Sequence, residues 1–193
     1  MSTADRILDV AEALCQRRGL EAVSFRDLAA EVGVKSASIH YHFPSKSDLA
    51  LALAIRYRQR FETVRSEIDR KEQSAEGRLK RFFAILADLY KEPNKVCLVA
   101  ILAAEAGSIS PELAIEVRKF FADNEQWLSS TLTLGVKQKT FTLSTEADCT
   151  AKTIFAAVEG AILASRACAD SSRLRSVADC VLASLKQGKV AIG

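Results

Sequence analysis

Apolar residues recur along this chain at the spacing of one helix face. Ile7, Val10, Ala11, Leu14 and Cys15 fall at i, i+3, i+4, i+7 and i+8, which predicts an amphipathic helix over 4–18, stopped by Gly19. Ser24 with Asp27 three positions on marks the start of a second helix, whose stripe of Phe25, Leu28, Ala29 and Val32 runs to about Val32. Gly33 takes a positive φ cheaply, so the chain can turn there into a third short helix from about Lys35, which Pro44 ends. Ser45 and Asp48 then cap a long helix reaching about Arg70.

The helical pattern continues beyond Ser74, with Leu79, Phe82, Phe83, Leu86 and Leu89 on one side of a segment that ends before Pro93. A short apolar helix is expected over Val96 to Ala106. Ser110 and Pro111 then open another through about Leu134, closed by a loop from Gly135. Ser144 is expected to cap a helix through about Cys168, and Ser171 or Ser172 to open a last one. The run Ile154 to Ala164 is broken only by Glu159, so it needs cover on nearly every side. Leu174, Val177, Val181 and Leu185 give the last helix an apolar edge. A subunit interface is therefore expected from Phe155, Val158, Ala161 and Ile162 together with those four residues, making a homodimer.

The fold class expected is all-α. Three short helices form a helix-turn-helix head over 1–46, a long helix over 47–70 connects, and a helical body for ligand binding and dimerisation completes the 47–193 domain. Hydrophobic residues make up 49% of the 193, with eight glycines and three prolines, which suits helices better than a turn-rich β fold. The start MSTADRILDV has no charged region followed by an apolar one, and the longest apolar run, Val96 to Ala104, is shorter than a membrane span. No membrane partner and a cytoplasmic location are expected. Five widely spaced cysteines without a CxxC pair are read as free thiols, with no structural metal and no cofactor.

The net charge of +3 permits nucleic-acid binding without requiring it, and the first fifty residues hold six basic against seven acidic side chains. The DNA argument must therefore rest on where particular residues point. On a helix, Ser36 and His40 share a face, with Ala37 and Tyr41 beside them, while Val34, Ile39 and Phe43 turn inward. Of His42 and Phe43, Phe43 is the one read as buried. A major groove about 12 Å wide admits a helix whose leading residues are compact, as Ser36, Ala37 and Ser38 are. Lys35, Tyr41, His42 and Lys46 can donate to phosphates.

Residues 33–49, GVKSASIHYHFPSKSDL, resemble the DNA-binding signature of the tetracycline-repressor (TetR) family, commonly GVxxxxxYxHFxSKxxL. The resemblance covers residues 4–60, from RILDVAEALCQRRG through FRDLAAEVGV to HYHFPSKSDL; beyond them only the order of helices is similar. It implies groove contacts from Ser36, Ala37 and His40, and phosphate contacts from Ser38, Tyr41, His42 and Lys46, with Arg26 adding another. Ala37 stands where glycine is frequent and His40 where tyrosine is frequent, departures that bear on which operator bases are read. The resemblance also implies a repressor that leaves a palindromic operator on double-stranded DNA when a small-molecule effector binds the body. Phe82, Phe83, Leu86, Leu102, Phe120, Asn124, Trp127 and Phe155 are the expected lining, with Phe121 nearby; Glu105 or Glu159 would pair with a cationic effector.

Three other readings compete. His40 and His42, the only histidines, are two positions apart and cannot chelate as an i, i+4 pair, and no glycine-rich phosphate loop is present. An enzyme would need Glu105 or Glu159 as acid or base, so none is expected and no catalytic residue is assigned. Thiol-based redox control would run through Cys97 or Cys149. A sequence-nonspecific DNA binder would need a broad basic surface and no large apolar body, the reverse of this chain.

Overall fold

The computed structural model describes residues 2–92, 94–105 and 110–186. Among these the chain forms nine helices and no strand. They are α1 (Thr3–Arg18), α2 (Phe25–Val32), α3 (Ser36–His42), α4 (Lys46–Lys71), α5 (Ala75–Leu89), α6 (Leu98–Ala104), α7 (Pro111–Lys137), α8 (Ala147–Cys168) and α9 (Ser172–Lys186). None is long and apolar enough to cross a membrane.

The caps explain most of the boundaries. Ser2 and Asp5 close a capping box at α1, and Ser24 accepts from the Asp27 N–H at α2. At α4 the Asp48 N–H donates to Ser45 Oγ at 3.1 Å while the Ser45 N–H donates to Asp48 at 3.0 Å. Each pairing satisfies amide groups that the first turn leaves without an intrahelical partner. The Ser24 hydroxyl holds Asp27, and the Ser2 backbone N–H together with its hydroxyl holds Asp5, below the usual carboxylate range.

Two boundaries differ from the expected ones. Gly135 does not end α7, which runs on to Lys137. A Cβ there would lie 2.6 Å from Cε2 and 2.7 Å from Cγ of Phe141, so the glycine makes room for a ring folded back on the helix. The reversal comes at Lys139, with φ 58°. Ser144 does not cap α8 either: Glu146 occupies the cap position, and the Thr145 and Thr150 hydroxyls pair across the first turn at 2.9 Å. The expected helix over 96–106 is confined to Leu98–Ala104, and Ala106 lies outside the described residues.

By packing, the chain divides into two compact units, Met1–Arg60 with Asn94–Phe120 and Phe61–Pro93 with Phe121–Gly193. Helices α4 and α7 contribute to both. This division by packing is a separate matter from the functional boundary expected after residue 46. In the first unit, Ile7, Ala11 and Cys15 of α1, Leu28 of α2, Ile39 of α3, Leu53 and Tyr57 of α4 and Leu102 of α6 are all buried. Each large aliphatic side chain so buried is worth about 1.5–3 kcal/mol. An ionic cluster ties α1 to α4: Arg56 reaches Asp9 at 2.8 Å and Glu12 at 3.3 Å, and Arg60 reaches Glu12 at 2.5 Å. The Val96 N–H donates to the Gln16 carbonyl at 3.3 Å, joining the segment before α6 to the end of α1.

In the second unit, α5 and α8 pack on α9 around Leu79, Phe82, Leu86, Ile154, Val158, Leu174 and Ala178. The Thr142 N–H donates to the Leu185 carbonyl at 2.9 Å, joining the loop after α7 to the end of α9.

Candidate nucleic-acid interface

The turn between α2 and α3 is set by Gly33, whose φ of 75° and ψ of 39° are left-handed. Its N–H and that of Val34 both reach the Ala29 carbonyl at 3.0 Å. The Arg6 guanidinium donates to the Val32 carbonyl at 2.7 Å, placing a cation at the negative end of α2. Ile39 is fully buried and Phe43 nearly so, which fixes α3 with its other face outward.

That outer face carries the residues singled out in the sequence. Arg26, Lys35, Ser36, Ala37, His40 and Tyr41 are exposed, Tyr41 by 84%, while Ser38, His42 and Lys46 are half-buried. The His40 ring meets Phe25 at a centroid distance of 4.8 Å, and His42 meets Tyr41 at 5.1 Å. Lys46 is engaged elsewhere: its Nζ donates to the Glu21 carbonyl at 2.9 Å and lies 3.7 Å from the Glu21 carboxylate. Sequence reasoning missed this pairing because nothing in the helical spacing links residues 21 and 46. A compact polar helix, presented by a tight turn and backed by two others, is the geometry by which a helix-turn-helix head enters a major groove.

The residues expected to line an effector site are divided. Leu102, Glu105 and Phe120 belong to the first unit, where Phe120 meets Tyr57 at 5.5 Å and Glu105 lies against Gly19. Phe82, Phe83, Leu86, Asn124, Trp127, Phe155 and Glu159 belong to the second. There Phe82 stacks at a tilt on Trp127 at 5.1 Å, Phe121 meets Phe155 at 5.7 Å, and the Trp127 indole N–H donates to Asp69 at 3.1 Å. Arg78 holds the same Asp69 at 2.7 Å. Asn124, fully buried, accepts from Arg65 at 2.8 Å. Arg65 was missed, yet it falls in the buried stripe of α4 with Tyr57, Phe61 and Ile68, and a charge in that register was the available signal.

Phe83 lines a groove of about 310 Å³ between α5 and α9, with Ala84, Ala87, Ala178 and Leu182. Larger depressions in this unit are lined by other residues. One of about 610 Å³ includes Val136, Phe141 and Leu143, and one of about 440 Å³ includes Ser129, Asp148 and Lys152.

Of the residues expected at a subunit contact, most are already covered within one chain. Phe155, Val158, Ala161, Ile162, Leu174 and Leu185 are buried within the single chain, and Val177 and Val181 are half-buried. Helix α9 packs on both α5 and α8, and Phe155 of α8 meets Phe121 of α7. Among the exposed residues of α8, Ala156, Gly160, Leu163 and Ala167 form one helical stripe on which Leu163 is 62% exposed, flanked by exposed Lys152, Thr153 and Arg166. On α9 Ser176, Cys180 and Ala183 are exposed, as are Arg173, Arg175 and Asp179.

Of the thiols, Cys15 and Cys97 are buried and Cys149, Cys168 and Cys180 exposed. Burial, and then the charge of Glu105, push the Cys15 thiol up to about 12, so it stays protonated at neutral pH. Cys97 accepts from the Tyr57 hydroxyl at 3.9 Å. Among the described residues no cluster of histidine, cysteine or acidic side chains could hold a metal ion.

The head thus defines a class, the helix-turn-helix DNA-binding proteins, and comparison with known proteins narrows it. Residues 7–53 match the family model described as bacterial regulatory proteins, tetR family. Residues 76–180 match that of the LmrA/YxaF-like transcriptional regulator C-terminal domain. Among solved structures, a TetR-family regulator from Agrobacterium tumefaciens is 31% identical, with 96% of this chain and 98% of that one covered and a TM-score of 0.91. One from Legionella pneumophila is 34% identical over the same shares, with a TM-score of 0.87. The reduced form of E. coli NemR, 21% identical over 93% of this chain and 94% of that one, shares the fold with a TM-score of 0.78. No protein among the curated sequences matches the chain. The chain belongs to the TetR family of bacterial transcriptional regulators: it is a DNA-binding regulator and not an enzyme.

Proposed function

We propose that the chain is a homodimeric repressor that holds a palindromic operator through two copies of α3 and releases it when a small molecule binds the second unit. The observation that carries the reading is the outer face of α3. Ser36, Ala37, His40 and Tyr41 stand clear of the core, while Ile39 and Phe43 anchor the opposite side. In that reading Ser36, Ala37 and His40 meet base edges, and Arg26, Lys35, Ser38, Tyr41, His42 and Lys46 meet phosphates.

A dimer places its two recognition helices about 34 Å apart, one turn of duplex. The outward stripes of α8 and α9 support the pairing: small side chains at Ala156, Gly160, Ala167 and Ala183 allow close approach, and Leu163 supplies apolar area. The effector reading rests on the members of the set that the second unit holds together, Phe82, Asn124 and Trp127, joined by Arg65. Aromatic surface with a few buried polar groups is how small-molecule sites are commonly built. Helix α4 contributes to both units and is proposed as the element through which the effector acts. To release DNA, the effector must bind the DNA-incompetent state more tightly than the competent one.

Nuclease protection on the inverted repeats that flank the chain's own gene tests the DNA half of the reading. The expected result is two protected half-sites about 34 Å apart. Random-sequence competitor should displace the protein only at about 10³-fold or greater excess. Protection of no repeat, with equal displacement by random duplex, overturns it. For the effector half, Trp127 is the chain's one tryptophan. Quenching of its emission by a panel of hydrophobic compounds, in the order in which they release DNA, is expected; release without any change in emission overturns that placement.

A further inference from the structure

Phe25 is the first residue of α2, and its ring is only partly buried, whereas Leu28, Ala29 and Val32 behind it are in the core. An aromatic side chain left half out of the core at the start of a surface helix asks for a reason. Its ring lies against that of His40, fifteen residues later, with centroids 4.8 Å apart and planes at 62°. This edge-on arrangement is the one aromatic pairs favour. On α3 itself, the neighbours one turn before His40 are Ser36 and Ala37, too short to brace an imidazole, and the residue one turn after is Phe43, which faces the core. Phe25 is the wall on which the imidazole rests.

An imidazole reads a base through a ring N–H or a ring lone pair, both sharply directional. A freely turning exposed ring must be ordered when DNA binds, and that ordering opposes binding to right and wrong bases alike. Discrimination comes from geometry that suits one base edge, and geometry needs a held ring. We propose that Phe25 is the positioning residue for His40, and that this aromatic pair sets the base read at one position of each operator half-site. The proposal rests on the reading that α3 lies in the major groove, and adds to it a residue of α2 that itself need touch no base.

The test is selection from a duplex library randomised over about 20 base pairs, the span of two half-sites, using the full chain and its F25L, F25Y and H40A variants. Wild type is expected to yield a two-fold symmetric sequence. H40A should flatten one position in each half of it. F25L should flatten the same position, lowering preference there by about 2- to 10-fold, the range one aromatic contact is worth, with every other position intact. F25Y should retain the preference, and F25L should add nothing to H40A.

A uniform loss at all positions in F25L, or an unchanged sequence, overturns the positioning role while leaving groove binding in place. Failure of wild type to select any sequence overturns the groove reading as well. A second measurement is independent of DNA and of the stability of F25L. The chain has two histidines, so the His40 ring protons can be assigned through an H42Q variant. In the free protein they are expected to be shifted by the Phe25 ring current and to remain shifted in F25Y. Unshifted His40 resonances in the wild type overturn the proposal.

Discussion

Lys46 is engaged in the free protein by both the carbonyl and the carboxylate of Glu21. In the proposed complex the same ammonium meets a phosphate, so the Glu21 carboxylate competes with DNA for it. An exposed pair of this kind is worth about 0.2–1 kcal/mol. E21Q is therefore expected to tighten operator binding about 2- to 5-fold at low salt, and K46A to weaken it and lower the salt slope by about one. Equal affinity of E21Q and wild type at low salt would show that the carboxylate does not compete. The residues of this face were legible in the sequence because a short helix between Gly33 and Pro44 can turn only one face inward, and Ile39 with Phe43 mark it. The Glu21 contact was not legible. Neither was the bond from Arg65 to Asn124, because helical periodicity registers where a side chain points and not which polar partner it finds.

At the scale of elements, the caps were legible wherever the signal is local. Gly19, Ser24, Gly33 and the pair Ser45 and Asp48 all act within one turn of themselves. Gly135 shows the contrary case. Its smallness serves the Phe141 ring rather than a turn, a tertiary demand that reads in sequence like a helix stop. G135A gains helix propensity of about 1 kcal/mol but forces that ring aside, and overpacking of this kind costs about 1–3 kcal/mol. A fall in Tm is expected for G135A, with recovery when F141L is added, because the two sites share one space. A rise in Tm for G135A alone would mean that the ring moves freely. The beginning of α8 was misplaced for a related reason: Ser144 is a good cap by type, yet the chain bends at Ser144 and Thr145 and the helix starts only after Glu146.

For the whole molecule, the hydrophobic run in α8 announced a helix in need of cover but not which surface supplies it. The chain covers much of it with its own α9 and with Phe121 of α7, and the stripe through Gly160 and Leu163 is the surface proposed for a second copy. A Cβ at Gly160 would meet nothing within 4 Å, so G160L is expected to keep or raise the stability of each chain. In a dimer joined along this stripe, the same change should hold the helices apart. Sedimentation equilibrium is expected to show wild-type dimers and G160L monomers, with operator affinity lost in parallel. A G160L protein that remains dimeric would place the contact elsewhere. The double use proposed for Lys46 has a last consequence for the molecule on DNA. A ligand usually quietens the protein around it, but in the proposed complex gripping a phosphate would unfasten Lys46 from the loop between α1 and α2. Amide hydrogens in residues 19–23 should therefore exchange faster in the operator complex than in the free protein, a loosening at the edge of a surface that is otherwise being clamped.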